Sequence, residues 1–322
     1  MRYETQYNKQ AFNKMMPIDI NQSILRGELR KQEPMSRHTS WKTGGVADYY
    51  YRAADLEDLS EFMRSLPADM PLTWIGYGSN LLVRDGGIRG AVVSVKGVLD
   101  DLDDVSETEI RVGAGNACVK AARFAAKQAL SGVEFLAGIP GTIGGALAMN
   151  AGAYGGEIWD YVVQVETLNR AGELQTYNKK AFDVAYRSVS IPDDHWFVAT
   201  TLKLEKSSKT KIDQSIREML AQRAEAQPLG QNSCGSVFRN PPNDYAARLI
   251  EACGLKGKQI GGACVSEKHA NFIINTGNAT SLDIEQLIRL IKAEVDEKHA
   301  VTLIPEVRMI GEYDVDDEVV NK

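Results

Sequence analysis

Two glycine-rich segments have the composition of ligand-binding loops. Residues 76–80 read Gly-Tyr-Gly-Ser-Asn, and residues 138–146 read Gly-Ile-Pro-Gly-Thr-Ile-Gly-Gly-Ala. Glycine lets the backbone fold back on itself, so that successive N–H groups point at one anion, and serine and asparagine side chains add hydrogen-bond donors. These loops therefore predict that the main chain binds a phosphate-bearing or flat ligand.

Neither loop fits a standard nucleotide-binding fingerprint. Residues 76–80 lack the third glycine of a Rossmann loop, run into a strand at residues 81–83, and are not followed by Gly-Lys-Ser/Thr. Taken alone, this loop is more typical of a tight hairpin, and residues 138–146 are also typical of a helix packed closely on a sheet. Together, and with a third turn at residues 113–115, the loops favour a dinucleotide bound in an extended form.

Short strands separated by glycine must position these loops. Apolar residues at positions 56, 59, 62, 63 and 66 predict a helix that Asp55 begins, and an alanine-rich helix is predicted at residues 117–130. The predicted strands are residues 46–52, 72–75, 81–83, 91–95, 110–112, 161–168, 174–177 and 197–204. This block, which ends near Glu205, is of the α+β class.

A second unit follows a charged joint at residues 206–211. Apolar residues at 212, 216, 219, 220 and 224 predict an amphipathic helix that ends before Pro228. Thr280 and Asp283 are typical of a capping pair before a long helix, with strands at residues 271–275 and 307–310. We predict a peripheral arm at 1–35, a first domain of two subdomains at 36–210, a second domain at 211–312 and an acidic tail at 313–322. The arm shows no strong strand signal, and residues 25–29 are expected to close a short helix.

Composition and charge exclude several classes of protein. The 322-residue chain has a formal net charge of −6, which argues against a nucleic-acid binder that works through bulk electrostatics but leaves room for a local basic pocket for a phosphorylated small molecule. No apolar core follows the first residues, and no apolar run reaches the roughly 18 residues of a membrane span. Four cysteines and four histidines show no metal-like spacing. We expect a cytoplasmic protein without a metal and without nucleic-acid or membrane partners.

Further motifs are spread along most of the chain. They are 38–47 (HTSWKTGGVA), 76–80 (GYGSN), 137–145 (AGIPGTIGG), 149–155 (MNAGAYG), 185–188 (AYRS), 235–241 (GSVFRNP), 266–272 (SEKHANF) and 304–307 (IPEV). Through these segments, over about residues 36–311, the chain resembles the MurB family of UDP-N-acetylenolpyruvoylglucosamine reductases. The short stretch between Arg187 and Gly235, without an inserted tyrosine loop, is similar to the shorter of the family's two subtypes.

The resemblance implies a fold and an activity. The implied fold is α+β, with an FAD-binding domain of the vanillyl-alcohol-oxidase (PCMH-like) type at residues 36–210 and a C-terminal α/β substrate-binding domain at residues 211–312. The implied activity is NADPH-dependent reduction of UDP-N-acetylglucosamine enolpyruvate to UDP-N-acetylmuramate through non-covalently bound FAD. This is a step of peptidoglycan precursor synthesis, and the implied ligand is a small UDP-sugar.

The resemblance also assigns binding residues. FAD is expected at Thr43, Gly76, Tyr77, Gly78, Ser79, Asn80, Leu81, Gly113, Ala114, Gly138, Ile139, Pro140, Gly141, Thr142, Gly144, Gly145, Asn150, Gly152 and Ala153. The substrate is expected at Tyr154, Tyr186, Arg239, Asn240, His269 and Asn271. For His269 and Asn271 an ordering role in the core is an equal alternative, and Lys256 or Lys258 is a further candidate on charge alone.

Three catalytic residues follow from the resemblance, and the reaction explains their types. Arg187 is expected to clamp the substrate carboxylate, which gains negative charge as hydride is added. Ser236 is expected to protonate the adjacent carbon, and Glu306 to stabilise the charged carboxylate together with Arg187 by sharing a proton. The plain alternatives are an arginine in a surface turn, a small residue in a tight turn and a solvated acid at a strand edge.

Two other classes of function stay open. Another flavin oxidoreductase of the same fold would act on a different substrate, and rapid turnover with oxygen would favour an oxidase. A non-catalytic nucleotide-binding protein would use only the glycine loops and would be colourless when pure. Neither alternative accounts for Arg187, Ser236 and Glu306 together.

Overall fold

The computed structural model describes residues 24–314. The strands are β1 Glu28–Pro34, β2 Val46–Arg52, β3 Leu72–Ile75, β4 Leu81–Val83, β5 Ile88–Ser94, β6 Leu102–Ser106, β7 Glu109–Gly113, β8 Leu130–Ser131, β9 Gly152–Ala153, β10 Gly156–Glu157, β11 Val162–Asn169, β12 Leu174–Asn178, β13 Val184–Ala185, β14 Ser188–Val189, β15 His195–Lys203, β16 Glu205–Lys206, β17 Gln259–Ile260, β18 Ala263–Val265, β19 Ile273–Asn275 and β20 Arg308–Ile310. The α-helices are α1 Leu56–Ser65, α2 Cys118–Lys127, α3 Ile143–Ala148, α4 Ile158–Tyr161, α5 Lys209–Ala226, α6 Ala246–Ala252 and α7 Ser281–His299. Between residues 24 and 314, no helix combines the length and apolar character needed to cross a membrane.

The first unit is built on a four-stranded sheet in the order β1-β2-β5-β3. Strands β2 and β3 run parallel to β5, and β1 pairs antiparallel with β2. Helix α1 begins after Asp55, whose side chain accepts a hydrogen bond from the Asp58 N–H. The Tyr51 and Phe62 rings stack in the core with their centroids 3.9 Å apart. The strands and the helix predicted for this unit are confirmed.

The described part of the N-terminal arm is an edge strand of this sheet. β1 pairs with β2 from Glu28 opposite Arg52 to Pro34 opposite Val46. The expected lack of a strand and the short helix at residues 25–29 are therefore wrong. The sequence of β1, Glu-Leu-Arg-Lys-Gln-Glu-Pro, has almost no apolar alternation. Its extended form follows from pairing with β2, which a local pattern does not record. Residues 1–23 lie outside the described range.

The second unit is built on an antiparallel sheet in the order β12-β11-β15-β7-β6. Helices α2 and α3 pack on it, and the buried positions of α2 include Ala121, Ala122 and Ala125. Alanine side chains are small enough for the helix axis to approach the sheet closely. The predicted alanine-rich helix is confirmed, although it is a few residues shorter than residues 117–130.

The third unit contains a small antiparallel sheet, β17-β18-β19, with α6 and α7. The capping box predicted for α7 is confirmed, because the Thr280 and Asp283 side chains each accept a hydrogen bond from the other's N–H. Strand β20 leaves this unit and pairs in parallel with β4 of the first unit. Trp41 and Leu82 are buried in the core of the third unit. The first and third units are thus joined by the pairing of β4 with β20 and by a common hydrophobic core.

Contacts in the structure bear on two of the expected boundaries. Ile212 and Ile216 of α5 are buried in the core of the second unit, so the contacts favour a boundary near residue 227 over the one expected after residue 210. Tyr313, at the start of the expected tail, still contacts the first unit, because its ring lies 4.3 Å from the Arg84 guanidinium carbon. Residues 315–322 lie outside the described range, and the division into domains stays a proposal.

Candidate active site

A cavity of about 220 Å³, here called the inner cavity, lies where the three units meet. Its walls come from both glycine loops, the turn between β13 and β14, and the third unit. Arg187, Ser236 and Glu306 all line it. The folded chain therefore brings together the three residues that the sequence predicted to act together.

Arg187 is fixed on three sides by hydrogen bonds. It lies in the turn between β13 and β14, and its Nε donates to Glu306 Oε1 at 3.1 Å. Its Nη1 and Nη2 donate to the carbonyls of Asn150 and Gly152 at 3.2 and 2.7 Å. A guanidinium carries more N–H groups than these three bonds use, so donors are left for a ligand. Arg187 does lie in a turn, but it is not the surface arginine of the plain alternative, because its side chain is only 15% exposed.

Glu306 lies two residues before β20 and is held by its backbone. Its N–H donates to the Val237 carbonyl at 2.7 Å, and Asn80 Nδ2 donates to its carbonyl at 3.1 Å. Burial raises the pKa of the Glu306 carboxyl above its ordinary value, although the nearby Arg187 acts in the opposite direction. The alternative of a solvated acid does not hold, because the side chain is 15% exposed. A raised pKa is what a carboxyl group that shares a proton requires.

Ser236 lies on a segment that the third unit holds in place. Gly235 before it has φ of 75°, and the Val237 N–H after it donates to the Asn271 carbonyl at 2.9 Å. Within residues 24–314 the Ser236 hydroxyl has no hydrogen-bond partner, so it is available to a ligand. Burial raises the pKa of the nearby Cys234 thiol to about 12. This thiol stays protonated and packs against the Leu81 carbonyl, with Sγ 3.4 Å from the oxygen.

The two glycine loops face each other at close range. A Cβ on Gly76 would lie 2.3 Å from Thr142 Oγ1, and a Cβ on Gly78 would lie 2.0 Å from the His38 carbonyl oxygen. In the described part of the chain, the N–H groups of residues 77–80 donate to no protein acceptor. Residues 77–80 also line a cavity of about 140 Å³, and their free amides suit the diphosphate of a dinucleotide such as FAD.

Most of the residues predicted to contact FAD line cavities at these loops. Residues 76–81 with Ile139, Gly141, Thr142 and Gly145 line a cavity of about 140 Å³, here called the loop cavity. Gly138, Pro140, Gly152 and Ala153 line the inner cavity. Gly144 lines a neighbouring cavity of about 340 Å³.

Four residues predicted to contact FAD line none of these cavities. Thr43 Oγ1 is 3.3 Å from Ser281 Oγ, and Asn150 Nδ2 donates to Glu157 Oε2 at 2.6 Å. Ala114 is fully buried. A Cβ on Gly113 would lie 2.0 Å from the Leu99 carbonyl oxygen. In this structure Thr43 and Asn150 make side-chain contacts within the protein, and Gly113 and Ala114 are closely packed.

The residues predicted to bind the substrate separate into two groups. Tyr186, Asn240 and Asn271 line the inner cavity. Asn271 also orders the core, because its side-chain amide accepts from the Phe238 N–H at 3.0 Å and donates to the Phe238 carbonyl at 2.8 Å.

Tyr154, Arg239 and His269 do not line the inner cavity. The Tyr154 hydroxyl donates to the Met219 carbonyl at 2.7 Å, and Arg239 Nη2 donates to the Arg187 carbonyl at 3.2 Å. Burial lowers the pKa of His269, whose ring packs against Phe272 with centroids 4.7 Å apart. Lys256 pairs with Glu251 at 2.8 Å, and neither Lys256 nor Lys258 lines the cavities described above. Among residues 24–314, no group of three or more potential metal ligands occurs.

Comparison with known proteins identifies the family. Residues 227–310 match the model of the UDP-N-acetylenolpyruvoylglucosamine reductase C-terminal domain, and residues 47–178 match an FAD binding domain. The UDP-N-acetylenolpyruvoylglucosamine reductase of Alkalilimnicola ehrlichii is 55% identical over 90% of this chain and 97% of its own length. The corresponding protein of Nitrosococcus oceani is 51% identical over 91% of this chain and 98% of its own length. This chain belongs to the UDP-N-acetylenolpyruvoylglucosamine reductase family.

A solved structure of the family agrees with the fold. The UDP-N-acetylenolpyruvylglucosamine reductase of Thermus caldophilus matches 88% of this chain and 99% of its own chain, with a TM-score of 0.76 and 32% identity. The predicted α+β class, with an FAD-binding part and a C-terminal domain, is confirmed.

Several residues that line the cavities were not expected from the sequence. Met149 and Ala151 line both the inner cavity and the loop cavity. Arg308 lines the loop cavity and Arg223 the inner cavity. Arg308 begins β20 two residues after Glu306, so its nearness in sequence to a predicted catalytic residue is the one local signal that points to it. No local signal separates Arg223 from the other charged residues of α5.

Proposed function

We propose that the inner cavity is the active site, in which Arg187, Ser236 and Glu306 act on one substrate. As a member of its family, the protein is an FAD-dependent oxidoreductase that uses NADPH to convert UDP-N-acetylglucosamine enolpyruvate to UDP-N-acetylmuramate in peptidoglycan precursor synthesis. The observation that carries the site assignment is the convergence of the three residues, with Arg187 and Glu306 in contact at 3.1 Å. We place the reaction in the cytoplasm, because its substrate is a nucleotide-activated sugar.

The glycine loops are proposed to hold FAD. Bound FAD would supply hydride transfer from NADPH to the methylene carbon of the enolpyruvyl group, and negative charge would then develop on the neighbouring carbon and its carboxylate. The free amides of residues 77–80 and the loop cavity that these residues line suit a diphosphate. Arg308, at the loop cavity, supplies a positive charge at the same place.

Arg187 is proposed to hold the substrate carboxylate. The carbonyls of Asn150 and Gly152 fix its guanidinium before the substrate arrives. The Tyr186 ring lies 4.9 Å from its central carbon. Because these contacts already orient the cation, little reorganisation is needed when charge develops on the carboxylate, and such preorganisation is the main source of electrostatic catalysis.

Glu306 is proposed to donate a shared proton to the same carboxylate. An ionised carboxylate would repel the developing negative charge, whereas a protonated one donates a hydrogen bond to it. The raised pKa of Glu306 supports the protonated form. Arg187 then balances the charge that remains on the substrate.

Ser236 is proposed to deliver the proton that completes the reduction. One hydride on the methylene carbon and one proton on the adjacent carbon convert the enolpyruvyl ether to the lactyl ether. The Ser236 hydroxyl, which no described residue engages, transfers its proton to that carbon and is reprotonated from solvent after product leaves. Serine is a weak acid, so this step depends on a strongly basic carbanion and a cavity that excludes bulk water.

Stopped-flow absorbance of the purified, flavin-loaded protein tests the proposed function. NADPH without substrate should bleach the flavin, and UDP-N-acetylglucosamine enolpyruvate should then restore the colour faster than dissolved oxygen does. Bleaching that only oxygen reverses would instead support a flavin oxidoreductase with another substrate. A colourless protein that binds no FAD would support a non-catalytic nucleotide-binding role.

A further inference from the structure

A second cavity, of about 390 Å³, adjoins the inner cavity and is here called the outer cavity. Ser79, Pro140, Arg223, Gly235 and Phe272 line both, so the two cavities are continuous. No aspartate or glutamate lines the outer cavity, and its basic residues are Arg37, His38, Lys42, Lys96 and Arg223. The chain has a net charge of −6, yet every charged or titratable side chain that lines this cavity, Tyr77 apart, is basic. Such a cavity indicates an anionic ligand.

The basic residues differ in how far their charge is already compensated. Arg37 Nη1 and His38 Nε2 lie 3.8 and 2.8 Å from the same Glu33 oxygen, so these two groups share one buried carboxylate. Lys42, Lys96 and Arg223 form no ion pair with residues 24–314. Lys42 and Lys96 are exposed, and Lys96 Nζ lies 5.8 Å from the centroid of the Tyr77 ring.

The uncompensated cations lie at two different depths. Arg223 lines both cavities, whereas Lys42 and Lys96 line only the outer one. A ligand that reacts in the inner cavity and extends outward would therefore meet one cation near the reacting end and two farther away. NADPH has a matching distribution of charge, with a diphosphate beside the nicotinamide riboside and a separate phosphate on the adenosine 2′-oxygen. The UDP-sugar has its diphosphate but no phosphate beyond the uridine.

We infer that the outer cavity binds the 2′-phosphate of NADPH through Lys42 and Lys96 and thereby selects NADPH over NADH. This inference rests on the proposed function, because it requires the nicotinamide to enter the inner cavity. Lysine ammonium groups form charge-assisted hydrogen bonds to a phosphate dianion. NADH lacks this phosphate, so it gains nothing from the two lysines.

Coenzyme selectivity in a double variant tests the inference. In Lys42→Met/Lys96→Met, methionine keeps an unbranched side chain and removes the charge. Lys42 has a left-handed φ of 59°, and methionine adds no strain there because lysine already has a Cβ. The value of kcat/KM for NADPH should fall about 20- to 100-fold, as expected for two charge-assisted contacts partly screened by water. The value for NADH should change less than about threefold. Lys127→Met, an exposed lysine in the last turn of α2, is the matched control and should change neither.

Binding to the FAD-loaded protein gives a readout that does not depend on turnover. Calorimetry should show that the wild type binds 2′,5′-ADP more tightly than AMP and that the double variant loses this difference. Equal loss with both coenzymes, or an unchanged preference for NADPH, would overturn the inference. A lower flavin content or a raised KM for the UDP-sugar would also overturn it, because the lysines would then serve another phosphate. A wild type that binds 2′,5′-ADP but does not reduce the enolpyruvyl substrate would refute the proposed function instead.

Discussion

Burial raises the pKa of the Glu306 carboxyl although a cation lies beside it. Arg187 Nε lies 3.1 Å from its carboxylate oxygen, yet the pKa of the Glu306 carboxyl is raised, because the cost of burying a charge outweighs the attraction. A carboxyl with a raised pKa beside an arginine suits a site that must receive the substrate carboxylate and then tolerate more negative charge.

Glu306→Gln should change how stability depends on pH. The folded pKa of Glu306 lies above the unfolded value of about 4.3, so the folded wild type loses stability as pH rises from the unfolded pKa to the folded one. Glutamine does not ionise, so the free energy of unfolding of the variant should rise relative to wild type over that window. Urea titrations at a series of pH values measure the difference. An identical pH dependence of both proteins would contradict the raised pKa.

Ser236→Ala should separate the two half-reactions. Flavin bleaching by NADPH should keep its wild-type rate, because no proton is transferred to carbon in that step. Reoxidation by the enolpyruvyl substrate should slow by about 10²- to 10⁴-fold, the usual contribution of a positioned general acid. Sequential-mixing stopped-flow absorbance gives both rates on one sample. A comparable loss in both half-reactions would rule out the role of proton donor.

The loop of residues 76–80 depends on glycine for its close approach to the neighbouring segment. Gly78 has φ of 61°, and a Cβ there would lie 2.0 Å from the His38 carbonyl oxygen. The free amides of residues 77–80 would change position if this contact forced the loop outward. The conformation of the element, more than any one side chain, is therefore what FAD binding requires.

Gly78→Ala and Gly254→Ala form a matched pair that tests this element. Both glycines have positive φ, of 61° and 74°, but a Cβ on Gly254 would have no atom within 4 Å. Each variant should lose about 1–2 kcal/mol from backbone strain alone. Only Gly78→Ala should also lose FAD, which the flavin-to-protein absorbance ratio measures. Full flavin content in Gly78→Ala would show that the loop is not the diphosphate site.

Contacts between the first and third units stabilise the whole molecule. Trp41 is fully buried in the core of the third unit, and its Nε1 donates to the Ile273 carbonyl at 2.7 Å. Strand β20, which follows Glu306, pairs with β4 next to the first glycine loop. The units that hold the flavin and the catalytic acid are thus expected to fold together.

Trp41→Ala should destabilise the whole protein and not one unit. Removing this side chain should cost about 3–5 kcal/mol, as for other large buried residues. Thermal melts followed by circular dichroism and by flavin fluorescence should keep coincident midpoints in both wild type and variant. From the sequence alone, we expect a chain without residues 228–312 to keep its ability to bind flavin. The burial of Trp41 and Leu82 in the core of the third unit argues against that expectation. Two separate transitions would restore that expectation.

Local patterns determined much of this protein. The strands around the glycine loops, the helix after Asp55 and the capping box at Thr280 depend on residues two to four positions apart, so periodicity and capping chemistry predict them. The motifs around Arg187, Ser236 and Glu306 identified the family for the same reason, because each is a short run of fixed spacing.

Only the tertiary structure decided the features that depend on distant residues. β1 is a strand because β2 lies beside it, and α5 belongs to the second unit because that core covers its apolar face. The raised pKa of Glu306 and the basic outer cavity likewise arise from groups that are far apart in sequence. Burial and electric fields depend on three-dimensional distance, and a linear pattern records that distance only between near neighbours.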